Sequence, residues 1–220
     1  TDAWKSAEPG VLFWDTILRE SVPDCYADLG YRTVSTNPCG EIPLCPYDSC
    51  RLLAINLYSY VVNPFKPDAY FDFDLFKKHV ALAQRIMDDI IDLELEKIER
   101  IMAKIDSDPE NEDVKHTESV LWQKIYKKSG QGRRTGVGIT AEGDMLAALG
   151  LRYGTEEATE FAEKVHQTVA LSAYRSSVEM AKERGAFEVY DSEREKNNPF
   201  INRLREADPE LYEEMKKYGR

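Results

Sequence analysis

The order of apolar runs along this sequence predicts an α/β fold. Strand-like segments at 50–61, 135–140 and 186–190 alternate with helical segments at about 74–104, 118–128, 143–149 and 156–184. That alternation is the signature of a parallel pairing with helical crossovers. The composition agrees: 42% hydrophobic and 31% charged residues describe an ordinary globular chain rather than a disordered or membrane one. No internal repeat or low-complexity linker divides residues 1–220, which read as one structural unit.

Taken in order, residues 10–20 place Phe13, Trp14, Ile17 and Leu18 on one side of a short helix. Residues 21–48 are rich in Pro, Gly, Asp, Asn and Ser and lack a period, so a long loop is expected, and loops of that length are usually functional. The run CRLLAINLYSYV at 50–61 predicts a strand buried on both faces, with Cys50, Leu52, Ala54 and Asn56 on one side and Leu53, Ile55 and Leu57 on the other. Residues 74–104 predict a long helix capped by Asp72 or Asp74, with Phe76, Val80, Ala83, Met87, Ile90 and Ile91 as its apolar stripe. A polar excursion is expected at 106–117, then a helix at 118–128 and a glycine-rich link at 130–136. After the strand TGVGIT, a short helix should stop at Gly150. Thr155 should cap the helix 156–184, with Gly185 just past its end. AFEVY at 186–190 reads as a further strand, and 197–218 as a charged, partly helical tail.

The charge balance narrows the function. With 29 Lys+Arg against 40 Asp+Glu, a broad phosphate-tracking surface for nucleic acid is disfavoured, although a small anionic nucleotide needs only a local pocket. Acidic stretches such as 88–113 and 156–163 read as solvated helix faces. There is no apolar run of about 18 residues to span a bilayer. No leader-like basic and apolar segment opens the chain, so a cytoplasmic location is expected and the start reads as the interior of something longer.

Four cysteines, Cys25, Cys39, Cys45 and Cys50, are expected to be thiols, and their irregular gaps do not match zinc-ligand spacing, so no metal is expected. His79, His116 and His166 stand in no paired context that would serve a thiol protease. GQGRRTG and GVGITAEG both miss the dinucleotide-binding spacing.

The informative stretch is STNPCGEIPLCPYDSC at 35–50. In an extended loop Asn37, Cys39 and Glu41 fall on one side and could meet one small ligand. Asn supplies donors and an acceptor, Glu can move a proton, and Cys can act as nucleophile or one-electron carrier. From spacing alone, structural thiols in a turn account for the stretch equally well.

NPCGE within STNPCGEIPL resembles the active-site finger loop of ribonucleotide reductases, most closely the adenosylcobalamin-dependent (class II) branch. AEPGVLFWDTI, SCRLLAINL, RRTGVGIT and DMLAALGLRYGTEEA resemble successive segments of the same family, in order. The resemblance implies part of a ten-stranded α/β barrel with its finger loop at about 33–48. It implies reduction of ribonucleotides to deoxyribonucleotides, with adenosylcobalamin as cofactor, a nucleotide as substrate and a thioredoxin-like or other dithiol as reductant. By the same resemblance Cys39 becomes the thiyl radical that takes the 3′-hydrogen, Glu41 deprotonates the 3′-hydroxyl, Asn37 hydrogen-bonds the ribose, and Cys50 is one of two reducing thiols.

The partner thiol of Cys50, the effector site and the phosphate-binding turn of the family are not found among these residues, and 106–128 is longer than the resemblance suggests. The chain alone is therefore expected to be inactive and to need the remaining parts of the same enzyme, with a homodimer as one arrangement. A relative served by a separate metal-radical subunit, and a non-catalytic module of the same fold, are the two alternative readings.

Overall fold

The computed structural model describes residues 2–49 and 51–220, so Cys50 lies outside the described residues. Strand β1 (Ser35–Thr36) and strand β2 (Pro43–Leu44) form an antiparallel hairpin within the loop region. Strand β3 (Leu53–Asn56) pairs in parallel with a strand more than eighty residues later, Val137–Thr140, in the register Leu53↔Val137 to Asn56↔Thr140. Helices α1 (Asp2–Ser6) and α2 (Trp14–Glu20) precede the hairpin, and a small antiparallel pair, β4 (Val61–Val62) with β5 (Tyr70–Phe71), follows β3.

The crossover between the parallel strands is helical, as the alternation predicts. It consists of helix α3 (Phe73–Ser107) and helix α4 (Glu112–Gly132), leading to strand β6 (Val137–Thr140). Asp72 accepts a hydrogen bond from the Leu75 amide at 2.9 Å and so is the N-cap of α3. Beyond β6 come α5 (Glu142–Ala148), α6 (Glu156–Arg184), α7 (Ser192–Glu195), α8 (Pro199–Ala207) and α9 (Pro209–Tyr218). Thr155 caps α6 by accepting from the Ala158 amide, and Gly185 follows its end at φ +87°. No helix among the described residues is long and apolar enough to cross a membrane.

The main core lies on one side of the parallel pair. Leu53, Ile55, Val137 and Ile139 meet Phe76, Val80 and Ala83 of α3 and Val165 of α6, with Leu57, Tyr60, Phe71 and Met145 closing the cluster. The opposite face carries Ala54, Asn56, Gly138 and Thr140, and three of these four are exposed. The expected strand buried on both faces is thus buried on one, because its alternate residues are small or polar. It is also shorter than 50–61. After Asn56 the chain tightens into a 3-10 turn, Leu57–Tyr60, where Leu57 and Tyr60 turn into the core together and the Tyr60 hydroxyl lies 2.9 Å from His79 Nδ1.

Three further expectations change. The polar excursion at 106–117 shrinks to residues 108–111: Asn111 caps α4, and Glu112 and Asp113 sit in its first turn, where carboxylates favour a helix. The link at 130–136 is helical to Gly132, with Arg133 in the left-handed region at φ +41°. Residues 186–190 form no strand. Phe187 and Tyr190 instead close a turn and stack edge-on, with Phe187 also against Tyr26. In α3, Ile91 is buried and Ile90 is not.

Gly136 is required by contact rather than by backbone conformation. A Cβ there would lie 2.2 Å from the Arg51 carbonyl oxygen. Gly136→Ala is therefore expected to destabilise the protein by about 1–3 kcal/mol in urea unfolding, from overpacking. Gly143→Ala, in α5 with nothing within 4 Å, should instead be neutral or stabilising by about 0.5–1 kcal/mol. Equal effects at the two positions would refute the contact argument.

Candidate active site

The stretch Asn37–Gly40 is a tight turn rather than an extended loop. The Gly40 amide donates to the Asn37 carbonyl at 3.0 Å, and the Asn37 amide donates to the Ile42 carbonyl at 3.1 Å. Asn first, Pro second and Gly fourth are the residues a type I turn favours. Gly40 sits at φ +83°, and its α-carbon faces Leu12, whose Cδ2 would lie 3.3 Å from a Cβ at that position. Cys39 occupies the third turn position, exposed and free.

The turn separates the three residues expected to converge. Asn37 is buried, and its Oδ1 accepts a hydrogen bond from the Ile42 amide at 2.9 Å, so half of its amide holds the hairpin shut. Its Nδ2 has no hydrogen-bond partner among the described residues. Cys39 and Glu41 flank Gly40, both exposed, and no hydrogen bond links the three side chains. What the arrangement offers is a solvent-facing thiol, a nearby carboxylate and one amide donor on a single rigid turn.

The root of the hairpin is fastened by residues that sequence reading passed over. Arg134 Nη2 donates to the Pro43 carbonyl at 2.9 Å, and its Nη1 pairs with Asp48, whose side chain is only 5% exposed. Asp48 also accepts from the Cys45 amide at 3.3 Å, from Cys45 Sγ at 3.4 Å and from the Ser49 amide at 2.9 Å. Arg51, 8% exposed, pairs through Nε with Glu94 of α3. It donates from Nη2 to the Ser129 hydroxyl of α4 at 2.8 Å and from Nη1 to the Arg134 carbonyl at 3.0 Å. Arg133 binds Asp88 and Asp92 of α3, each at 2.7 Å. The signal for this frame was the pair of arginines before a strand, but their partners lie 41 to 91 residues away.

Cys25 and Cys45 are less exposed than Cys39. Burial, then the neighbouring Asp48 charge, pushes the Cys45 thiol up to about 11, and burial raises that of half-buried Cys25. Two cavities, of about 540 and 560 Å³, open beside β6 and α6 and beside α3 and α6, and neither is lined by residues 37–41. Among the described residues no group of three or more His, Cys, Asp or Glu side chains is arranged to hold a metal ion.

Residues 1–220 match the family model described as the ribonucleotide reductase barrel domain. The chain is 36% identical over 195 residues to the vitamin B12-dependent ribonucleoside-diphosphate reductase of Thermoplasma acidophilum, covering 88% of this chain and 21% of that protein. It is 31% identical over 193 residues to the protein of the same name from Mycobacterium tuberculosis (strain H37Rv), covering 87% and 22%. To the ribonucleoside-diphosphate reductase subunit alpha of Chlamydia pneumoniae it is 28% identical over 159 residues, covering 70% and 12%. The chain thus spans about a fifth of the length of the first two relatives.

Thiol alkylation followed by mass spectrometry checks the contrast between the exposed and the buried cysteine. The thiolate is the reacting form, so below its raised value Cys45 modification should climb about tenfold per pH unit, while Cys39 reacts far faster at neutral pH. Comparable rates at Cys39 and Cys45 near neutrality would contradict the placement.

Proposed function

The chain belongs to the ribonucleotide reductase barrel-domain family, and from that premise we propose that its parent protein reduces ribonucleotides to deoxyribonucleotides by thiyl-radical chemistry at Cys39. The observation that carries the reading is the placement of Cys39 at the exposed tip of a braced turn, with Glu41 and the Asn37 Nδ2 donor on the same six residues. Ribonucleoside diphosphates are the proposed substrates, since the Thermoplasma and Mycobacterium relatives are named for them.

In the proposed sequence the Cys39 sulfur radical takes the 3′-hydrogen atom of the ribose, leaving a carbon radical and a thiol. Glu41 accepts the 3′-hydroxyl proton while one of the two reducing thiols gives its proton to the 2′-hydroxyl, which departs as water and leaves a 3′-keto 2′-radical and a thiolate. Asn37, whose Oδ1 is committed to the Ile42 amide, acts through Nδ2 as donor to a ribose hydroxyl oxygen. The second thiol then gives a hydrogen atom to the 2′ carbon, and its sulfur joins the thiolate as a disulfide with one electron passing to the 3′-ketone. Glu41 returns its proton to the 3′ oxygen, restoring the 3′ carbon radical. Cys50 is proposed as one of the two thiols, the other lying outside these residues, and an external dithiol restores the pair. Cys39 regains its radical when the hydrogen atom returns to the 3′ position.

Adenosylcobalamin is the proposed cofactor, the same relatives being named vitamin B12-dependent; when bound, it would supply the homolysis that generates the first radical. Neither of the two cavities beside α6 reaches Cys39, so neither would hold a corrin against that thiol. This chain's contribution is the thiol and its position. The barrel is likewise part of the proposal. Among the described residues β3 and β6 form only one parallel pair, with both outer edges unpaired. The 540 Å³ cavity runs along Val137, Gly138 and Ile139, where a further strand would fit.

The test is anaerobic CDP reduction by the full-length protein with a dithiol, with and without adenosylcobalamin. Cys39→Ser should abolish turnover, and Glu41→Gln should lower kcat by about 10²–10⁴-fold, the range of general acid–base assistance. Full activity in Cys39→Ser sinks the reading; activity that ignores adenosylcobalamin but needs a metal-radical subunit overturns the cofactor alone.

A further inference from the structure

The double arginine at 133–134 has no part in the proposed chemistry, yet its two members are placed for different tasks. Arg133 closes α4 and binds Asp88 and Asp92 of α3. Arg134 reaches the hairpin. Its guanidinium spans the Pro43 carbonyl and the Asp48 carboxylate, and its own carbonyl accepts from Arg51. Contacts to residues 43, 48 and 51 therefore meet at one side chain and one carbonyl. Residue 43 lies on the returning strand of the Cys39 hairpin, and residues 48 and 51 bracket position 50.

We propose that Arg134 is the positioning residue of the Cys39 hairpin, holding Cys39 and residues 48, 49 and 51 in one fixed relation. The inference rests on the reading of Cys39 as the reacting thiol and names what sets its place.

Three features support it. Pro43 pairs with Thr36 across the hairpin, so anchoring Pro43 anchors both of its strands, and the Gly40 and Ile42 hydrogen bonds carry that rigidity to the tip. Asp48 gathers the Cys45 amide, the Cys45 thiol and the Ser49 amide, so its pairing with Arg134 orders the whole turn before residue 50. The planar guanidinium fork meets two acceptors in one pre-set geometry, whereas a lysine ammonium reaches them from a flexible stem that fixes neither direction. The helical frame has separate fastenings. Arg184 pairs with Asp88 and Asp89, and Arg85 with Glu183, so losing Arg134 should free the hairpin and spare α3 and α6.

The experiment uses the full-length protein as wild type, Arg134→Ala and Arg134→Lys. Hydrogen exchange is read at the hairpin (34–44) and at α3 and α6, and kcat and KM are measured for CDP with adenosylcobalamin. In Arg134→Ala the hairpin amides should exchange on the order of tenfold faster, with α3 and α6 unchanged. The kcat should fall on the order of 100-fold, the cost of a displacement near 1 Å, with KM within about twofold. Arg134→Lys should lie between. Unchanged hairpin exchange, a loss carried by KM alone, or loosening spread equally over α3 and α6 overturns the proposal. If Arg134→Ala does not accumulate folded, Arg134→Lys and Asp48→Asn carry the same readouts. A wild type with no reductase activity overturns the functional reading instead, and the exchange comparison then decides positioning alone.

Discussion

Where the parallel strands begin, the Arg51 carbonyl fills the space that any side chain at position 136 would need, and the Leu53 amide donates to the Gly136 carbonyl at 3.0 Å. This close approach sets the register of β3 against β6. It also delivers the Arg51 side chain between α3 and α4, where Glu94 and Ser129 receive it, and it brings Arg134 beside the hairpin. A bulkier residue at 136 would part the strands and move all of these groups together. Sheet register and thiol placement thus depend on the same few atoms.

The frame around this approach is ionic, and that has a physical cost. A charge taken out of water is stabilised only when its partners are well placed, and removing one partner of a buried pair costs about 3–5 kcal/mol. Asp88 is 8% exposed and meets both Arg133 and Arg184, so it cannot adjust by turning to solvent. Such a network specifies geometry more than it adds stability. The acidic face of α3 therefore divides: Asp88 and Glu94 are fastenings drawn out of solvent, whereas Glu96 and Glu99 remain exposed, as their sequence suggests.

What was legible in the sequence was local. The Asp72 and Thr155 caps, the glycine after α6 and the apolar stripe of α3 each depend on residues within a turn or two, so periodicity and capping rules found them. The parallel pairing was readable because strand-like and helical runs alternate along the chain, although one-sided burial of the first strand was not. The short hairpin was not. Its turn uses Asn37 as an internal brace, whereas a period-two reading of the same residues assumes extended backbone. Residues 186–190 have strand composition, but Phe187 and Tyr190 are held by aromatic neighbours and form a turn. The arginine frame joins positions dozens of residues apart, and nothing in the local pattern of either partner announces the other. Glycines 130, 132 and 136 marked a glycine-rich link, but not the contacts with Tyr31 and Arg51 that Gly132 and Gly136 answer to.

On the proposed function, position and seclusion are separate requirements, and these residues meet only the first. A thiyl radical persists where water and stray reductants are kept away, yet Cys39 is exposed at the tip of its turn. The turn cannot bury its own apex, because the third position of a tight turn points away from the hairpin that supports it. A radical on this thiol must therefore be shielded by groups that close over the tip from outside the hairpin. Leu12, seated against Gly40, reaches the tip from outside the hairpin. The bare face of Ala54, Asn56, Gly138 and Thr140 points to the same division: small and polar side chains leave room for substrate or further chain where a core would have placed bulk. A rigidly braced but uncovered thiol is what a chain should present if it fixes the position of the reacting atom and other segments supply its cover.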